Sequence, residues 1–146
     1  MSPEPVRLPA GMRRQMVAHA LAEAPLEACG IVAGRGGRGT RFYPTGNAER
    51  SRTRYSVPPA ELLRITREIE RRDEVLYGIF HSHPETEAYP SATDIRLAFY
   101  PDSYYLILSL ADPDRPVLRA FTIRAGHVAE HPITEFDDQA GPAPVR

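Results

Sequence analysis

Apolar residues recur at helical spacing over residues 12–24. Met12, Met16, Val17, Ala20, Leu21 and Ala24 fall on one stripe, with Gln15, His19 and Glu23 turned away. Pro25 ends this helix. Residues 27–34, Glu-Ala-Cys-Gly-Ile-Val-Ala-Gly, are mostly apolar and read as a buried strand. Residues 34–39, Gly-Arg-Gly-Gly-Arg-Gly, invite a phosphate-loop reading, but a phosphate cradle needs a helix start directly downstream. The next residues, 40–43, are strand-like and end at Pro44, so a hairpin or loose loop is expected.

Residues 47–55 are polar and carry Arg50, Arg52 and Arg54. Ser56, Pro58 and Pro59 introduce a second helix running to about Arg72, with Leu62, Ile65 and Ile69 on its apolar stripe and Leu63 on the flank. Glu61–Arg64, Arg64–Glu68 and Glu68–Arg72 stand at helical neighbour spacings, which predicts a solvated, self-paired face. Residues 75–83 form a strong strand pattern, with a loop at 84–90 and a helix from Ser91 to about Tyr100 after it. Three more strands are expected at 103–112, 117–124 and 128–136, and residues 137–146 read as a flexible C-terminal tail. The predicted fold class is α/β (α+β), a mixed β-sheet with flanking helices in a single domain over residues 1–136.

Composition narrows the classes of function. At 146 residues the chain has the size of one domain, and 42% hydrophobic with 25% charged residues is an ordinary globular balance. A net charge of −1 lacks the basic excess of nucleic-acid binders. All 18 basic residues are arginine. The single cysteine, Cys29, rules out an internal disulfide and fits a reducing compartment. Residues 1–7 hold two prolines and no apolar stretch, so they are not read as a secretory signal. No apolar run approaches the roughly 20 residues of a spanning helix. A soluble, cytoplasmic protein with no membrane or nucleic-acid partner is expected.

Candidate chemistry concentrates in one stretch, His81-Ser-His83 with Ser91 and Asp94 downstream. Side chains alternate along a strand, so His81 and His83 project from one face and can grip one cation. Zinc accepts histidine nitrogen and carboxylate oxygen, and a catalytic site keeps a position open for water. Asp94 becomes a third ligand if the loop at 84–90 folds back to the strand end. Each piece also has a plainer reading. A His-x-His pair can be incidental, and Ser91 with Asp94 can be a capping box at a helix start. The two readings of Asp94 are compatible.

His81-x-His83, seven residues, Ser91, two residues and Asp94 matches, without a gap, the signature of the JAB1/MPN (JAMM) metallopeptidases, and the chain resembles that family from the first helix to about Ile133. The resemblance implies a JAB1/MPN-type fold, related in shape to cytidine deaminases. It also implies that His81, His83 and Asp94 hold Zn2+, that Ser91 assists, and that Glu27, placed where the family has an upstream glutamate, is the acid/base. JAMM enzymes cleave amide bonds after the C-terminal glycine of ubiquitin or ubiquitin-like proteins. The segments 47–51 and 86–91 look like the subgroup that releases cysteine from a ubiquitin-like sulfur-carrier protein, which serves cysteine biosynthesis. A general isopeptidase for ubiquitin-like conjugates and a non-catalytic MPN scaffold are the alternatives. The sequence leaves a homodimer open.

Other candidates read as structural. Cys29 is expected to be a small buried side chain, and His127 and His131 surface residues sharing a strand face. Glu85 and Glu87 lie beside the metal motif, where solvated loop charge is the default.

Overall fold

The element that organises the fold is a nine-residue strand, Val75–His83, whose last seven residues are buried. A computed structural model describes residues 3–137. In chain order the elements are β1 (Val6–Pro9), α1 (Met12–Glu23), β2 (Cys29–Arg35), β3 (Arg38–Thr45), α2 (Pro59–Arg71), β4 (Val75–His83), α3 (Ala92–Arg96), β5 (Tyr104–Ser109), β6 (Val117–Arg124), β7 (His127–His131) and β8 (Ile133–Phe136). Six strands form one mixed sheet in the order β3-β2-β4-β5-β6-β7, parallel only between β4 and β5. A parallel pair, β1 with β8, stands apart as a second small sheet.

The period of two along each strand decides which core a side chain enters. Phe80, Leu106 and Leu108 pack with Met12, Met16 and Ala20 of α1, while Ile79 and Tyr105 pack with Ile65 and Ile69 of α2. Phe80 is fully buried, and burying a side chain of this kind contributes roughly 1.5–3 kcal/mol. His81 and His83 share the parity of Ile79, so both face the α2 side, at the end of β4 where the apolar core gives way to polar groups.

Residues 34–39 form the β2–β3 hairpin, with Gly36 and Gly37 at φ of 62° and 78°, conformations in which a Cβ is unfavourable. The hairpin leads into β3 and not into a helix, so the phosphate-cradle reading is set aside.

Several expectations need correction. Leu21 lies off the buried stripe of α1 and is 49% exposed. The charged residues of α2 pair outside the helix: Tyr43 Oη donates to Glu68 at 2.8 Å, Arg41 approaches the same carboxylate at 3.4 Å, and Arg72 reaches Glu74 at 3.2 Å. Off-helix partners with fixed geometry win over flexible neighbours worth only tenths of a kcal/mol. The third helix ends at Arg96, short of Tyr100, where Pro101 disfavours helical backbone and the amide donates to the Tyr105 hydroxyl at 3.1 Å; nothing in the structure explains the stop as early as Arg96. The last predicted strand splits into β7 and β8 at Pro132, which has no N–H for the ladder. The strand β1 is an addition that the sequence pattern does not announce. The tail beyond residue 137 lies outside the described residues. Among the described residues, no helix is long and apolar enough to cross a membrane.

Candidate metal centre

Three ligand atoms meet where β4 ends. His81 Nε2 and His83 Nε2 are 3.1 Å apart, and Asp94 Oδ2 lies 3.1 Å and 3.0 Å from them. All three residues are buried. Asp94 arrives because the loop at 84–90 is pinned back on the sheet: Ser109 Oγ donates to the Thr86 carbonyl at 2.6 Å, and Ala88 is buried against Ile107 and Phe121. The helix α3 then starts with a full capping box. Ser91 Oγ accepts from the Asp94 amide at 3.0 Å, and Asp94 Oδ2 accepts from the Ser91 amide at 2.9 Å. The same oxygen, Asp94 Oδ2, therefore closes the cap and lies against both imidazoles.

The protonation pattern fits a cation. His83 Nδ1 is 2.7 Å from the Glu87 carbonyl oxygen, which can only accept, so Nδ1 carries the proton and Nε2 of the neutral ring presents a bare lone pair. That lone pair faces a carboxylate oxygen at 3.0 Å. Two acceptors this close need a proton or a cation between them. Zinc bonds of about 2.0–2.1 Å in a tetrahedron separate the ligand atoms by about 3.3 Å, close to the triangle observed.

Electrostatics follow from burial and from these contacts. Burial pushes the His81 pKa down, only partly offset by Asp94. Burial also opposes charge on His83, but Asp94 and the Glu87 carbonyl outweigh it and the net shift is upward. For Asp94, burial works against ionisation, yet the two imidazoles and the Ser91 amide hold the carboxyl well below the usual carboxylate range.

Glu27 sits beside this group. It is 3% exposed, and its Oε1 has no hydrogen-bond partner among the described residues. Burial pushes its pKa up to about 8, with His83 lowering it and Asp94 raising it. Backbone bonds fix its place. Beyond the Cys29–His81 register pair, the Ser82 amide donates to the Ala28 carbonyl at 2.9 Å and the Ala28 amide donates to Ser82 Oγ at 2.7 Å. The Glu27 amide donates to the Ser51 carbonyl at 2.7 Å.

The remaining candidates fall outside the centre. Burial pushes the Cys29 thiol up to about 11, and its Sγ donates to the Gly46 carbonyl at 3.1 Å, so it is a buried structural thiol. Glu85 pairs with Arg52 at 3.6 Å on the surface, and Glu87 contributes its backbone carbonyl to His83. His19 does not face away as expected: its Nε2 lies 3.0 Å from the Cys29 carbonyl and 3.1 Å from the Thr45 carbonyl, so it bonds α1 to the sheet. His131 lies 3.0 Å from the Thr122 hydroxyl, away from the centre, and His127 is exposed. Sequence reasoning gave no structural role to Tyr55, which stacks on His81 with ring centroids 4.2 Å apart. Its one signal is that it is the sole aromatic residue in the polar segment 47–55.

With this geometry in hand, a family model, prokaryotic homologs of the JAB domain, matches residues 9–124. The chain belongs to this JAB family. This JAB protein is 48% identical over 120 residues to CysO-cysteine peptidase of Mycobacterium tuberculosis, covering 81% of this chain and 82% of that one. It is 34% identical over 116 residues to desampylase of Haloferax volcanii, covering 75% and 84% respectively. A protein of Desulfitobacterium hafniense, solved in solution, shares the fold with a TM-score of 0.83 at 39% identity, covering 91% of this chain and 94% of its own. The JAMM resemblance, the mixed-sheet fold class and the hydrolase class read from the sequence hold for this JAB protein.

Proposed function

We propose that this JAB-family hydrolase is a zinc metallopeptidase that cuts the amide bond after the C-terminal glycine of a ubiquitin-like sulfur-carrier protein, releasing cysteine from a carrier–cysteine adduct. The observation that carries the metal chemistry is the convergence of His81 Nε2, His83 Nε2 and Asp94 Oδ2 at 3.0–3.1 Å from one another. The substrate reading rests on the 48% identity to CysO-cysteine peptidase. In this reading the protein works in the cytoplasm, where Cys29 stays a thiol.

His81, His83 and Asp94 would hold the ion, which would supply Lewis acidity and lower the pKa of a nearby water to about 7. Glu27 takes the proton of the attacking water on its idle Oε1 and hands it to the departing amine. Burial raises the Glu27 pKa above the ordinary carboxylate range, so that once it has taken the water's proton it is an acid strong enough to deliver it yet able to hold it until the amine departs. The Ser91 hydroxyl accepts the cap bond from the Asp94 amide and keeps its own proton to donate to the oxyanion that forms on the scissile carbonyl. Glu87, through its carbonyl, fixes the His83 ring so that Nε2 faces His81 Nε2 and Asp94 Oδ2.

The test is zinc content of the purified protein together with mass spectrometry of a carrier–cysteine adduct and a carrier–lysine conjugate after incubation. Release of cysteine from the first is expected. Preferential cleavage of the lysine conjugate would replace this substrate by protein conjugates, a second reading favoured by the identity to desampylase. Absence of both zinc and cleavage would refute the enzyme and leave a scaffold.

A further inference from the structure

The two imidazoles of the centre are held by different means. A metal-ligating histidine usually gives its second ring N–H to a carboxylate, a carbonyl or water, which fixes tautomer and ring plane. His83 obeys this rule, with Nδ1 2.7 Å from the Glu87 carbonyl. His81 does not: its Nδ1 is buried and has no hydrogen-bond partner among the described residues. Its ring instead lies against the face of Tyr55, with centroids 4.2 Å apart and planes within 15°. Its other aromatic neighbour, His83, is tilted at 58° and 5.0 Å, a geometry that does not fix the plane.

Tyr55 is delivered by a built loop. Asn47, 7% exposed, uses its whole amide to shape it. Asn47 Nδ2 donates to the Arg54 carbonyl at 2.9 Å, and Oδ1 accepts from the Ser56 amide at 3.0 Å, so Tyr55 is bracketed on both sides by one side chain. Oδ1 also accepts from the Glu49 amide at 3.0 Å. The same Nδ2 donates to the Glu27 carbonyl at 3.1 Å, which ties this loop to the segment carrying the acid/base.

Resting on the metal reading above, we infer that Tyr55 is the positioning residue for His81: its ring face, seated by Asn47, holds the imidazole plane where a hydrogen bond to Nδ1 would otherwise do so. Tyr55 acts through His81 and not on the substrate. The ring face carries the function, and the hydroxyl does not.

The experiment uses the full chain stripped of metal and titrated with Co2+ against a competing chelator, reading the dissociation constant and the visible absorption spectrum. Tyr55→Leu is expected to weaken Co2+ binding by about 10–100-fold, the usual effect of losing a group that orients a ligand, and to change the spectrum as His81 reorients. Tyr55→Phe keeps the ring and is expected to retain both affinity and spectrum. Binding by Tyr55→Leu within twofold of wild type with an unchanged spectrum would overturn the inference. A tenfold loss in Tyr55→Phe would also overturn it, by assigning the role to the hydroxyl; if Tyr55→Leu does not fold, Tyr55→Met, which also lacks the ring face, is read by the same two measures. A wild-type protein that binds no Co2+ would instead remove the metal reading, and this inference with it.

Discussion

Replacing Glu27 by Gln keeps the shape of the side chain and removes its titration. In the metal-free protein, burial raises the Glu27 pKa from the ordinary 4.5 to about 8. Between those values the unfolded chain has released this proton and the folded protein still holds it. The folded state therefore binds more protons, and its stability falls as pH rises. This contribution is fully present below pH 4.5, is lost as pH rises towards about 8, and stays constant above that. One group changes stability by at most about 1.4 kcal/mol per pH unit, so the whole interval carries a ceiling of about 5 kcal/mol. Any water reaching the carboxyl lowers that figure. Urea denaturation of the metal-free wild type and of Glu27→Gln, at pH 5.5, 6.5, 7.5 and 8.5, measures the difference. The variant is expected to gain on the wild type at each step up to about pH 8 and then to hold its lead. Parallel stability curves would refute the view that Glu27 is folded with its proton on. In the zinc-loaded protein the same substitution should leave the ion bound and cut turnover by at least ~10²-fold, the scale of a positioned acid/base. Unchanged turnover would take Glu27 out of the reaction.

Asp94→Ala removes a proposed metal ligand and a helix cap together. Zinc content after dialysis is expected to fall close to zero, and retention near the wild-type level would reduce Asp94 to its capping role. Ser91→Ala should keep the metal, cost about 1 kcal/mol in stability through the lost cap, and lower kcat by about 10²-fold; steady-state kinetics beside thermal unfolding separate the two effects. Asn47→Ala strips partners from the Glu27 and Arg54 carbonyls and from the Glu49 and Ser56 amides. With about 1–3 kcal/mol for each buried group left unpaired, chemical denaturation should show a loss of more than about 2 kcal/mol, and a loss below ~0.5 would contradict the network.

Much of the fold was legible because its signals are local. The stripe of Met12, Met16 and Ala20, the hairpin glycines and the β4 run each name an element within a few residues, and the alternation along β4 puts both histidines on one face. What was illegible depends on distant partners. Val6–Pro9 carries too few residues to announce a strand and becomes one only by pairing with Ile133–Phe136. His19 reads as a polar-face residue because its two carbonyl partners, on Cys29 and Thr45, lie across the sheet. In the centre, the spacing of His81, His83, Ser91 and Asp94 was visible, and the return of the loop was a matter of length alone. Which atoms would converge was not. Tyr55 escaped for a related reason: stacking on His81 depends on a loop shaped by one amide, and no periodicity marks it.

The pairing of β1 with β8 closes a circuit through nearly the whole described chain, from Val6 to Ile133. Such a contact must overcome the entropy of a very long loop before it returns anything, so it belongs to the late steps of folding. The buried Val6 and Leu8 of β1 belong to the core that also holds Met12 and Met16. Hydrogen exchange should therefore release the amides of the two short strands as one unit, ahead of the central strands that carry the histidines.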